Sequence, residues 1–142
     1  MNRRQAIALL ALAGLFISLY LYLYKIGKIG TLACGTGGCE TVQLSPQSRF
    51  LGVDVALIGV VGYLVLLALA ALASAPRWAA AIWPLRWLAI LSAGAFVFTL
   101  YLKSLELFVI HAICRWCVAS AVIITIIFVL ALQEWRRERV RA

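Results

Sequence analysis

The sequence predicts an all-α integral membrane protein, a four-transmembrane-helix bundle with one long loop between helices 1 and 2. Of its 142 residues 65% are apolar, and the mean hydropathy is +1.05. Soluble domains have about 45–50% apolar residues. The charged residues separate apolar stretches, and four stretches approach the roughly 20 residues that a spanning helix needs. Four spans occupy most of the chain, so we expect a single membrane domain over residues 1–142.

The spans are predicted at residues 6–24, 53–73, 84–108 and 112–132. Each must be helical, because an unpaired backbone group in lipid costs several kcal/mol. The first span resembles a secretory signal, but its apolar run exceeds the roughly 7–15 residues of a signal core and no A-x-A site follows. We therefore expect it to stay in the protein. Residues 25–52 are rich in Gly and contain Ser45, Pro46 and Ser48, and they form the predicted irregular loop. Asp54 is expected in the first turn of the second helix.

The Lys and Arg residues predict the orientation. With four spans, both termini and the connection between spans two and three share one side of the membrane. That side carries eight of the 13 basic residues, four of them in the tail after the last span. The side richer in Lys and Arg is cytoplasmic, so we expect cytoplasmic termini and an outer face that holds the long loop. The net charge of +8 does not indicate nucleic-acid binding, because the basic residues form no patch interleaved with polar and aromatic residues.

The four cysteines form two pairs of different geometry, both on the predicted outer face. Cys114 and Cys117 form C-R-W-C at the start of the fourth span, and Cys34 and Cys39 flank the glycines of C-G-T-G-G-C. A C-x-x-C can cycle between dithiol and disulfide. The glycines allow the loop pair both to close a disulfide and to move. Two such pairs on one face, in a compartment where disulfides persist, predict thiol–disulfide exchange between them.

The surroundings of the C-x-x-C add detail to this prediction. A helix N-terminus and Arg115 both favour the thiolate form of Cys114. His111 either tunes a thiolate or donates a proton, or it is an interfacial histidine without chemistry. No nucleotide or haem motif is present, so the predicted electron acceptor is a membrane quinone such as menaquinone or ubiquinone. Gly59 and Gly62 would let a flat ring approach the second span, or they reflect ordinary helix packing.

Three segments follow one another in a recognisable order: C-E-T-V-Q-L-S-P-Q-S-R-F-L-G, V-A-L-I-G-V-V-G-Y and F-V-I-H-A-I-C-R-W-C-V-A-S-A. Over essentially the whole chain this order resembles the bacterial branch of the vitamin K epoxide reductase family. The resemblance implies that Cys117 reduces the quinone and that Cys114 is its disulfide partner. It also implies that Cys34 and Cys39 are the shuttle pair. Within that pair, Cys39 would reach Cys114.

The resemblance further implies supporting residues and a partner. A serine that holds the loop corresponds to Ser45, with Ser48 as the competing candidate. The Asn and Tyr with which animal members bind their naphthoquinone are replaced here by Val55 and Ala121, so plain quinone reduction is expected rather than epoxide reduction. These two positions and Gly59 are the candidate quinone contacts beside Cys117. The 142 residues hold no thioredoxin-like domain, so the implied partner is a separate exported thioredoxin-fold dithiol oxidase.

Three other interpretations account for part of the cysteine pattern. Four cysteines spaced C-x4-C and C-x2-C can bind Zn²⁺ in a structural membrane protein, although no metal is expected in an oxidising compartment. A transmembrane carrier of reducing equivalents needs thiols reachable from both sides, and no cysteine is predicted near the inner face. The other bacterial disulfide-generating quinone oxidase places its C-x-x-C before its spaced pair, which is the reverse of the order here.

Overall fold

The computed structural model is an all-helical bundle, and it describes residues 3–25, 49–50, 53–77, 82–105, 107–108 and 115–141. The helices are α1 (Arg3–Lys25), α2 (Val55–Ser74), α3 (Trp83–Leu105) and α4 (Arg115–Arg141). Two short antiparallel strands, β1 (Arg49–Phe50) and β2 (Val53–Asp54), form a hairpin directly before α2.

The ends of all four helices differ from the predicted ends, and α1 extends beyond residues 6–24 by three residues at its start and by one at its end. The second helix begins at Val55 and not at residue 53, because Val53 and Asp54 pair with the preceding strand. Asp54 therefore precedes the helix instead of lying in its first turn. The third helix ends at Leu105 and not at residue 108. The fourth continues to Arg141, past the predicted end at residue 132, because acidic residues in its last turns bind arginines of α1.

Each helix contains a segment long and apolar enough to cross a membrane: Arg3–Leu23, Val55–Ser74, Trp83–Ser104 and Trp116–Val140. Large apolar side chains on all four are exposed, Phe16 by 61% and Val97 by 64%. Soluble monomers rarely expose contiguous apolar patches of this kind, whereas a bilayer solvates them. The prediction of an all-α protein with four membrane-spanning helices is confirmed.

The four helices form a closed ring. Helix α1 packs against α2 and α4, and α3 completes the ring by packing against the same two helices. All four helices contribute to the core, which contains small and branched apolar side chains and one tyrosine. Its buried members are Ile7, Ala11, Tyr63, Leu66, Ala70, Leu88, Ala89, Ile124, Ile127 and Ala131. This is an up-and-down four-helix bundle.

The interface between α1 and α2 depends on two glycines. A Cβ atom added to Gly59 would lie 2.7 Å from the Ser18 hydroxyl oxygen, and one added to Gly14 would overlap the Tyr63 ring. The two contacts are four residues apart on each helix, and their order is opposite: Gly14 precedes Ser18 on α1, whereas Tyr63, the partner of Gly14, follows Gly59 on α2. The two helices therefore run antiparallel. Small residues let backbones approach closely, which is how helices gain packing energy in lipid.

An arginine–glutamate cluster joins three helix ends at one end of the bundle, hereafter the arginine end. Its members are Arg3, Arg4, Glu134, Arg137 and Glu138. The buried carboxylate of Glu134 lies 3.3 Å from Arg4 Nε, 3.4 Å from Arg3 Nη1 and 3.7 Å from Arg137 Nη1. Arg4 also lies 3.5 Å from Glu138 Oε1 and donates a 2.6 Å hydrogen bond to the carbonyl oxygen of Ala73, in the last turn of α2. The cluster thus fixes the start of α1 against the ends of α2 and α4.

Candidate functional site

Cys117 belongs to the face of α4 that turns toward the bundle interior. The buried residues Ile124, Ile127, Ala131 and Glu134 recur every three or four positions along this helix. Extending the same spacing toward the start of α4 leads through Ser120 to Cys117, which is half-buried. Positions three and four apart on a helix share a face. The thiol-bearing residue therefore continues the interior stripe rather than the lipid-facing one.

Cys117 lies in the first turn of α4, at the bundle end opposite the arginine end, hereafter the cysteine end. Its neighbour Trp116 contacts Tyr20 near the end of α1, edge to face, with ring centroids 5.2 Å apart. Helix α1 thus ends where α4 begins, and the antiparallel α2 starts at the same end. The chain segment that carries the loop cysteines leaves α1 and re-enters the described structure at β1, just before α2. The topology therefore attaches both ends of that segment to the cysteine end.

A buried polar contact lies one turn further into the bundle from Cys117. The Tyr63 hydroxyl oxygen is 2.7 Å from Ser120 Oγ, and it donates a 3.0 Å hydrogen bond to the Ser120 carbonyl oxygen. If the serine hydroxyl in turn donates to the tyrosine oxygen, both protons are satisfied. The Tyr63 side chain is buried among apolar core residues. Polar groups inside membrane helices often mark functional sites.

A shallow groove of about 260 Å³ lies on the surface of α4, next to Lys103 of α3. This side groove is lined by Lys103, Val118, Ala121, Val122, Thr125 and Ile126. Ala121 follows Cys117 by four residues, so it lies next to Cys117 along the helix. Ligand sites for small organic molecules are mostly apolar and span about 300–1,000 Å³. The side groove is smaller than that range, and its lining is apolar except for Lys103 and Thr125.

The remaining predicted quinone contacts on α2 lie elsewhere. Val55 is the first residue of that helix and is partly buried. Gly59 lies against Ser18 of α1, so close helix packing accounts for its missing side chain. Gly59 and Ala121 thus occupy different helix interfaces. A Cβ atom added to Gly62 would meet nothing within 4 Å, so the second glycine of that helix brings no neighbour close.

Several predicted site residues lie outside the described residues, and Arg115 is described only as the first residue of α4. Those outside are Cys34, Cys39, Ser45, Ser48, His111 and Cys114. Within the described ranges, no three His, Cys, Asp or Glu residues are grouped so that they could hold a metal ion. Three of the four ligands of the zinc hypothesis are outside those ranges.

Sequence reasoning missed Tyr63 and Ser120. Their contact joins positions 57 residues apart, which no local pattern reveals. The available signal was chemical: Tyr63 is the tyrosine of the second span, and Ser120 is a hydroxyl residue one helical turn after Cys117. Hydroxyl groups inside a bundle need partners, so such residues are candidates for contacts between helices.

A sequence model of the vitamin K epoxide reductase family matches residues 5–132. The matched segment includes all four cysteines, the connection between α1 and α2 and most of every helix. The same segment contains the interior-facing Cys117 and the Tyr63–Ser120 contact. The chain therefore belongs to the vitamin K epoxide reductase family, whose members are membrane oxidoreductases that couple thiols to quinones.

Proposed function

We propose that this protein is a quinone-dependent thiol oxidase that reoxidises an exported thioredoxin-fold partner and thereby supports disulfide bond formation. One observation carries the proposal: Cys117 lies in the first turn of α4, on the stripe that faces the bundle interior, and Ala121, one turn later on the same helix, lines the side groove. Family membership supports the same class of chemistry.

The proposed reaction has three exchanges. A thiolate of the reduced partner attacks the Cys34–Cys39 disulfide, and the partner leaves oxidised. The loop thiols then reduce the Cys114–Cys117 disulfide through a transient bond between Cys39 and Cys114. When the Cys114–Cys117 disulfide re-forms, two electrons and two protons are released and convert one quinone to a quinol. The more positive potential of the quinone drives this sequence.

The chain's other residues support these steps. The N-terminus of α4 and Arg115 stabilise a thiolate in the C-x-x-C, and His111 is proposed to tune it. Ser45 or Ser48 is proposed to hold the loop. Ala121, which lines the side groove, is the proposed neighbour of a quinone bound there, whereas Val55 and Gly59 belong to another face of the bundle and are proposed as contacts of a quinone bound at that face instead.

We further propose that the arginine end faces the cytoplasm and that the cysteine end faces outward in the cytoplasmic membrane. The excess of Lys and Arg on the side of the termini supports this orientation. The arginine–glutamate cluster lies at that same end of the bundle. An outward cysteine end would place the thiols where disulfides persist and where an exported partner is available.

The proposal is tested with purified protein, a reduced thioredoxin-fold dithiol oxidase, and menaquinone or ubiquinone in separate reactions. We expect Cys117→Ala to lower quinone reduction at least about 100-fold, because the thiol that reduces the quinone is gone. The matched control is Ser104→Ala, whose exposed hydroxyl bonds only to Leu100 O of its own helix among the contacts described. Quinone absorbance and partner thiols are measured together. Undiminished quinone reduction by Cys117→Ala would contradict the mechanism.

Metal analysis of the same preparation distinguishes the zinc hypothesis from the redox proposal. The redox proposal expects substoichiometric zinc and turnover that a chelator does not change. Stoichiometric zinc held by the four cysteines would contradict it, because a thiolate bound to zinc is not available for disulfide exchange.

A further inference from the structure

The Tyr63–Ser120 contact has no role in the electron path described above. Tyr63 belongs to α2, its ring covers Gly14 of α1, and its hydroxyl reaches Ser120 of α4. A single side chain of α2 thus contacts two other helices, α1 and α4. Because a Cβ atom at Gly14 would overlap the ring, the tyrosine has little room to shift on the α1 side.

The contact constrains the start of α4 in a specific way. Tyr63 meets two atoms of Ser120, the side-chain oxygen at 2.7 Å and the backbone carbonyl oxygen at 3.0 Å. Hydrogen bonds are directional, so two bonds to one residue fix both the height and the rotation of the helix there. The first backbone N–H groups of any helix lack intrahelical partners, so its first turn depends more on such outside contacts.

Cys117 lies one turn before Ser120 on the same helix, about 4.5 Å along the axis at 1.5 Å per residue. Any rotation of this part of α4 moves the thiol around the helix, either into the interior or toward the side groove. A misplacement of about 1 Å can cost a reaction about 100-fold in rate. The contacts that hold Ser120 therefore determine the direction in which the Cys117 thiol points.

We propose that Tyr63 is a positioning residue: through Ser120 its hydroxyl holds the rotation of α4 that directs the Cys117 thiol to the quinone. This inference rests on the proposed function, in which Cys117 reduces the quinone. The hydroxyl acts through Ser120 and forms no bond to the reacting atoms.

Two variants remove the Tyr63–Ser120 contact to different extents. Tyr63→Phe keeps the ring over Gly14 and removes both bonds, whereas Ser120→Ala removes the hydroxyl and keeps the carbonyl acceptor. We expect kcat for quinone reduction to fall about tenfold or more in Tyr63→Phe and about threefold in Ser120→Ala, with KM for the quinone within twofold of wild type. The matched control is Ser104→Ala, whose exposed hydroxyl bonds to Leu100 O of its own helix, and it should turn over like wild type.

A second measurement does not depend on turnover. In a protein whose other three cysteines are replaced by serine, Cys117 is alkylated by a membrane-permeant maleimide. We expect Tyr63→Phe to raise the alkylation rate at least about threefold, because a looser first turn exposes the thiol more often. Thermal unfolding of each variant in the same detergent shows whether the fold is intact.

The outcomes separate the inference from the proposed function. Wild-type kcat and wild-type alkylation in Tyr63→Phe would overturn the positioning role alone. A loss of kcat that merely follows a loss of folded protein would also overturn it. A wild-type protein that reduces no quinone with any reduced partner would overturn the proposed function, while the alkylation rates would still show whether Tyr63 controls the thiol.

Discussion

At the residue scale, the bundle is specified by a few pairs of small and polar residues. Tyr63 fits over Gly14 and bonds to Ser120, and Gly59 fits against Ser18. Lipid tails are as apolar as leucine, so burial of apolar side chains does little to bring helices together in a membrane. Close fit and hydrogen bonds decide which faces meet.

Gly14→Ala tests the fit under Tyr63. The new methyl group would overlap the tyrosine ring, and overpacking of this kind costs about 1–3 kcal/mol. The matched control is Gly62→Ala on α2, where a Cβ atom meets nothing within 4 Å, and we expect it to stay within about 0.5 kcal/mol of wild type. Reversible unfolding in mixed micelles measures both. Equal stability of the two variants would show that the ring moves aside freely.

The cysteine part of the candidate site can be recognised in the sequence, whereas the Tyr63–Ser120 contact cannot. Four cysteines at fixed spacings stand out in an apolar chain, and they indicate redox chemistry without a structure. Tyr63 does not stand out, because its importance depends on its contact with Ser120, which is distant in the sequence. The family resemblance directs attention to Ala121, the residue after Ser120, and the structure shows that these two neighbours face different surroundings, one the side groove and one α2.

At the element scale, hydropathy predicts that a helix exists but not where it ends. The hydropathy of α4 falls after residue 132, yet the helix continues to Arg141. Charged residues are compatible with helical structure where their charges are matched, and here Glu134 and Glu138 meet arginines of α1. The start of α2 is displaced for a different reason, because the backbone of Val53 and Asp54 is engaged in the hairpin.

Arg4 is the member of the arginine–glutamate cluster whose loss should cost most. Its side chain is 13% exposed, and it contacts two carboxylates and the end of α2. Breaking a buried ion pair costs about 3–5 kcal/mol, and because Arg3 and Arg137 remain beside Glu134 we expect about 1–3 kcal/mol for Arg4→Ala. The matched control Arg3→Ala removes a side chain that is 45% exposed and should cost about 0–1 kcal/mol.

Chemical unfolding in micelles measures the two arginine variants. The double variant Arg4→Ala with Glu134→Ala isolates the pair, and its cost should be less than the sum of the single variants. If Arg3→Ala is as costly as Arg4→Ala, burial and the bond to Ala73 do not distinguish the two arginines.

At the scale of the whole molecule, the two ends of the bundle differ in chemistry. At the arginine end, charged side chains of α1 and α4 pair with one another, and Arg4 also bonds to a backbone carbonyl oxygen in the last turn of α2. The cysteine end holds Cys117 and the aromatic contact between Tyr20 and Trp116. An even number of antiparallel helices places the start of α1 and the end of α4 at one end of the bundle, so the orientation of the bundle decides which side of the membrane Cys117 faces.

Labelling from outside the cell tests that orientation. In a variant that keeps only Cys34, we expect a membrane-impermeant maleimide to react in intact cells or spheroplasts. The matched control is a cysteine-free protein with Val140→Cys, an 85% exposed position at the opposite end, which should react only after permeabilisation. Gel shift with a maleimide polymer measures both. The reverse pattern would place the thiols in the cytoplasm and contradict the proposed partner.

The arginine–glutamate cluster also bears on the order in which the protein is assembled. Arg3 and Arg4 are synthesised before the rest of the bundle, whereas Glu134 is synthesised only after α2 and α3. The pairing of α1 with α2 through Gly14 and Gly59 requires no residue beyond the second helix. This pair of helices can therefore form during translation of the later helices. The ring of helices closes only once α4 has entered the membrane and its carboxylates have met the first residues of the chain.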